Sequence, residues 1–95
     1  MTPRERSQAS IDRFVDALWV EDGLAANTLA AYRRDLHLYA DALASRAGRA
    51  LDDSTEADLL AYATERHAAT RASTANRRLT VFKRSLDARK RELLA

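Results

Sequence analysis

Ser73, Arg77, Thr80, Arg84 and Arg91 recur near the C-terminus at intervals of three, four and seven residues. At ~100° per residue that spacing gathers all five on one sector of a helix. Guanidinium forks and small hydroxyls on one face suit phosphate: hydroxyls donate to its oxygens, and arginine either does the same or reaches base edges. Ser73 or Thr74 also sits where a cap belongs, so that helix would add amide donors and a partial positive charge at its start. A smaller set of the same kind occurs earlier. Asn27 and Arg34 share a helical face with Ala30 and Ala31 nearby, whose short side chains leave a low profile for close approach.

Other chemistries lack their residues. The chain has no cysteine, which removes disulfides, thiolate catalysis and cysteine-ligated zinc. His37 and His67 stand thirty positions apart, with no H-x-x-x-H pair to begin a metal site. Asp52, Asp53, Glu56 and Asp58 lack the spacing of a calcium loop and read better as helix-capping acids. No serine has a neighbouring His–Asp pair, and two isolated glycines cannot form a phosphate loop. Tyr32, Tyr39 and Tyr62 fall on apolar stripes, and Trp19 reads as a core anchor. The residues point to binding without catalysis, metal or cofactor.

The elements that must carry these faces are helical. Among 95 residues, alanine (20) and leucine (13) dominate, and only four apolar residues are β-branched. This length fits one small domain, read as a flexible tail over residues 1–9 and a folded unit over 10–95. No apolar run approaches the ~20 residues that span a bilayer, and no signal peptide is legible, so a cytoplasmic setting is expected. The first helix is predicted over 10–22, with Ile11, Phe14, Val15, Leu18 and Trp19 inward and Gly23 as its stop. The second is predicted over 27–47, with a seam of Leu29, Tyr32, Leu36, Tyr39 and Leu43, ended by Gly48. Thr55 and Asp58 form a capping box, with Asp for the usual Glu, at the start of a third helix; Leu59, Leu60, Tyr62 and Ala63 face inward, and the helix fades near 67–70. The fourth runs from 73 to about 93, with Ala75, Leu79, Phe82, Leu86 and Leu93 on the apolar sector. Net charge is zero over 1–50, −5 over 51–65 and +7 over 66–95, so the basic face lies on a basic third of the chain.

Two stretches carry a resemblance. Residues 14–36, FVDALWVEDGLAANTLAAYRRDL, and residues 73–84, STANRRLTVFKR, resemble the N-terminal core-binding domain of Xer-type tyrosine recombinases and phage integrases. The likeness runs in order from about position 11 to 94. It implies an all-α, four-helix SAM-like bundle forming half of a clamp around a recombination half-site, with the second and fourth helices toward the major groove. Carried onto this sequence, it puts Thr28 at a phosphate and Arg34 along the groove. Thr74, Arg77, Arg78 and Thr80 would lie nearest double-stranded DNA, with Ser73 and Arg84 flanking; on the helical wheel Arg78 sits at the edge of the stripe. It further implies, as partners, a covalently linked catalytic domain and other recombinase protomers. That family's catalytic residues, two Arg, a Lys, His-x-x-Arg and a nucleophilic Tyr, have no counterpart in these 95 residues. Ser85, Asp87 and Arg89 depart from the aromatic or apolar residues usual there.

Two other functions fit the basic stripe: a helical protein-interaction module docking an acidic partner, and a small helix-turn-helix regulator. Salt-dependent binding to duplex would separate the first. The joints between helices are longer than the 3–4-residue turn the second requires.

Overall fold

The computed structural model describes residues 1–69 and 73–94, with side chains over 1–65 and 76–93. Four helices occupy them: α1 (Pro3–Asp22), α2 (Ala26–Ala47), α3 (Glu56–Ala69) and α4 (Ser73–Leu94), with a single 3-10 turn, Leu51–Asp53, between α2 and α3. Among the described residues there is no strand. The bundle is all-α, as composition predicted.

Each helix boundary has a local cause. Thr2 Oγ1 accepts from the Glu5 N–H while the Glu5 carboxylate accepts from the Thr2 N–H, and Pro3 fills the first position, where no N–H is needed. Gly23 and Gly48 close α1 and α2 at φ of 62° and 63°, the left-handed conformation that an L side chain resists. Thr55 and Asp58 make the expected reciprocal cap before α3.

α1 and α2 run antiparallel, since Arg4 pairs with Asp41 and Arg33 with Asp12 across them. Ile11, Phe14, Val15 and Leu18 from α1 meet Leu36, Tyr39, Ala40 and Leu43 from α2, Leu51 from the short turn, and Leu79, Phe82 and Leu86 from α4. Phe14 stands edge-on to Tyr32 at 5.7 Å between centroids and to Phe82 at 5.1 Å, so one ring joins three helices. α3 contributes the partly buried Leu59 and Tyr62 and lies at the margin of this core.

Five expectations are corrected. The joints are not all longer than a helix-turn-helix turn, since three residues separate α1 from α2, so joint length does not set the regulator reading aside. Residues 3–9, read as tail, are the first two turns of α1: Ser7 is buried and its Oγ accepts from the Leu51 N–H at 2.9 Å. Trp19 is 59% exposed, because it lies ~40° past Val15 on the wheel, beyond the arc that α2 and α4 cover. Leu60 is 69% exposed, ~100° from Leu59 on a helix that buries only one edge. Leu93 keeps the apolar phase of α4 but lies two turns beyond Leu86, the last buried residue of that helix, and is exposed.

Candidate nucleic-acid interface

α4 sorts its side chains as its periodicity requires. Leu79, Phe82 and Leu86 are buried, while Arg77, Val81, Arg84, Ala88 and Arg91 form the exposed line opposite. Arg77, Arg84 and Arg91 recur every seven residues, so at ~1.5 Å rise they stand ~10.5 Å apart and span ~21 Å. That exceeds the ~12 Å width of a major groove, so such a stripe can cross one and meet backbone on both sides.

Pairing elsewhere leaves these cations available. Arg4, Arg6, Arg33, Arg46 and Arg49 engage Asp41, Asp53, Asp12, Glu65 and Asp58. The Arg33 hydrogen bond holds the Asp12 carboxyl below its ordinary value, and the Arg46 bond does the same to Glu65. On α4, Lys83 binds Asp87 at 2.7 Å and Lys90 donates to the Asp52 carbonyl. Among the described residues no ion pair engages Arg77, Arg84, Arg89 or Arg91. Positions 76–93 carry a net charge of +5.

The sequence-predicted residues do not all share one environment. Arg77 and Arg84 are exposed on α4, and Arg34 is exposed on α2. Thr28 lies half-buried in the first turn of α2. Thr80 is half-buried; its Oγ1 donates to the Asn76 carbonyl at 3.0 Å, and it lines a groove between α3 and α4 with Leu59, Leu60, Lys83 and Arg84. Ser73 and Thr74 begin α4, but their side chains lie outside the described residues. Arg78 turns inward. It is 22% exposed, gives Asp35 a 2.8 Å ion pair and lies over the Tyr32 ring at 5.9 Å. Wheel position explains this: ~100° from Arg77, Arg78 faces α2 and not the solvent.

Asp35 is the residue that the candidate set omitted. It is 5% exposed, receives Arg78 on one oxygen, and holds its other oxygen 3.8 Å from Arg34 Nε. The sequence held a partial signal: an acid three positions after Tyr32 and four before Tyr39 lies beside the apolar seam of α2, where burial would require a cation. Among the described residues, no three histidine or acidic side chains converge as a metal site, and no helix is long and apolar enough to cross a membrane.

Comparison with known proteins decides the family. Residues 11–92 match the phage integrase N-terminal SAM-like domain. The chain belongs to that family. As a phage integrase N-terminal SAM-like domain, it is 63% identical over 78 residues to the tyrosine recombinase XerD of Ralstonia nicotianae, covering 82% of this chain and 25% of that protein. It is 42% identical over 76 residues to the tyrosine recombinase XerD of Neisseria meningitidis serogroup B, covering 76% of this chain and 26% of the relative. The SAM-like chain thus spans about a quarter of the length of the curated relatives it matches. No solved structure matches it. Its four-helix architecture and its place among tyrosine recombinases agree with what residues 14–36 and 73–84 implied.

Proposed function

We propose that this domain grips double-stranded DNA at a recombination half-site through α2 and α4, as the non-catalytic N-terminal part of a site-specific tyrosine recombinase or integrase. One observation carries the reading: Arg77, Arg84 and Arg91 stand outward with no ion pair among the described residues, while Leu79, Phe82 and Leu86 of the same helix are buried. The kinship with XerD-type relatives supports it. In this reading Arg77 and Arg84 neutralise backbone phosphates or reach base edges, and Arg34 approaches from α2. Thr28, Ser73 and Thr74 supply hydroxyls near the backbone; Thr80 lies beside them with its proton given to the Asn76 carbonyl, and Arg78 serves the bundle from within. Strand exchange falls to a covalently linked catalytic domain, acting with other recombinase protomers in the cytoplasm.

Affinity then comes mainly from counterion release. With about four to six phosphate contacts, log K falls with log salt at a slope of roughly −4 to −5, and the domain alone binds in the micromolar range. Fluorescence anisotropy with a Xer-type half-site and a scrambled duplex, over 50–200 mM salt, measures both. Arg77→Ala and Arg84→Ala should each lower the slope by about one. Binding indifferent to salt and to both substitutions would instead favour the basic face docking an acidic protein.

A further inference from the structure

Asp35 is a carboxylate inside the joint between the two helices assigned to DNA. Its neighbours are both cationic. Arg78 Nη1 of α4 donates to Oδ2 at 2.8 Å, and Arg34 Nε, at the rim of α2, lies 3.8 Å from Oδ1. Tyr32, one turn before on α2, places its ring under the Arg78 guanidinium and in a T-shaped contact with Phe14. No other acid or base among the described residues pairs with Asp35. A buried ion pair of this kind is a weak source of stability, since desolvation offsets most of the attraction, and apolar residues of similar volume often do as well. What it supplies better than leucine is geometry: charge, a fixed fork and a ring allow one relation between α2 and α4, whereas apolar surfaces slide.

We propose that Asp35 is a positioning residue that fixes α2 against α4 through Arg78 and restrains Arg34 at the rim, setting the spacing of the two DNA-facing surfaces. This rests on the DNA-binding reading above. Arg78 is then a strut and not a phosphate contact.

The test replaces the pair by apolar residues, Asp35→Leu with Arg78→Met, alongside the size-conserving Asp35→Asn. The chain has no cysteine, so Leu38→Cys on α2 and Leu93→Cys on α4, both exposed and the latter off the basic stripe, take nitroxide labels, while half-site affinity is read on the unlabelled proteins. Electron-electron distance measurement then reads the helix spacing directly. The apolar pair should keep its helical signal and unfolding midpoint while the distance distribution broadens. Half-site affinity should fall about five- to tenfold from lost preorganisation, with the salt slope unchanged. Asp35→Asn should weaken binding in the same sense, also without altering the slope, and it carries the test if the double variant does not fold. A slope reduced by about one would show Arg78 on a phosphate and overturn the proposal. An unchanged distance distribution, or unchanged affinity, would overturn it as well. Broadening in a domain whose unmodified form ignores duplex would support the strut and sink the DNA reading, so the two failures are distinct.

Discussion

Ser7 shows how one small polar group can hold a bundle together. It is buried beside Leu51, and its Oγ accepts the Leu51 N–H at 2.9 Å, closing the α2–α3 connection onto α1. Ser10 makes a parallel link to Asp52 one turn later. Ser7→Ala removes the acceptor and leaves a buried N–H without a partner, at a cost of about 1–3 kcal/mol. A domain of this size should lose about 4–8 °C in unfolding midpoint per kcal/mol. Ser45→Ala, at the exposed Arg4 hydrogen bond, should shift stability by less than about 0.5 kcal/mol. Calorimetry on both variants checks the contrast; equal effects would mean that Ser7 only fills space. Arg78 marks the opposite case at this scale. Its type and its neighbours resembled a DNA contact, but its wheel position turned it to Asp35.

The third helix depends on its first turn more than the others do, because it adds no fully buried side chain from its described residues. Asp58 Oδ2 accepts the Thr55 N–H at 2.9 Å and Thr55 Oγ1 accepts the Asp58 N–H at 3.1 Å. That backbone donor, with the Arg49 guanidinium behind it, holds the Asp58 carboxyl below its ordinary value of 3.8 despite partial burial. A depressed carboxyl contributes stability that is complete above its unfolded pKa and lost as pH falls through the folded one. Asp58→Asn should therefore cost about 1 kcal/mol near pH 6–7. The gap between native and variant should close as pH drops below about 4. Chemical denaturation from pH 7 to pH 3 measures it, and a gap that stays constant with pH would rule out the charge. This cap was legible beforehand, because Thr55-x-x-Asp58 is a local pattern. The equivalent Thr2-x-x-Glu5 box, with Pro3 behind it, was equally local; the polar residues that follow masked it, since only tertiary contact shows that Ser7 and Ser10 point inward.

At the scale of the whole molecule, three helices and Leu51 make the core, and the basic stripe of α4 faces away from it. In the proposed reading, one such stripe gives modest affinity by itself. If DNA binding is its function, linkage to a second duplex-binding module should raise apparent affinity by about 10²–10⁴ without any new contact. Two copies joined by a flexible linker, titrated against a duplex with two half-sites and one with a single site, test this. Equal affinity for both duplexes would indicate that the domain does not engage two sites together.

Local rules in the chain settled the helices, the glycine stops, the phase of α4 and the family likeness, because periodicity, capping and left-handed glycine act over a few residues. Arg77 and Arg84 were assigned outward for that reason, and they stand there. Tertiary structure decided that Trp19 and Leu60 would be exposed, that Ser7 and Ser10 would be buried, and that Asp35 would be the partner waiting for Arg78 at the edge of its stripe. Each of those outcomes turns on which surface of another helix, distant in sequence, arrives opposite. Hydrophobic phase states which face prefers burial, but only the neighbour's position determines how wide the buried arc becomes.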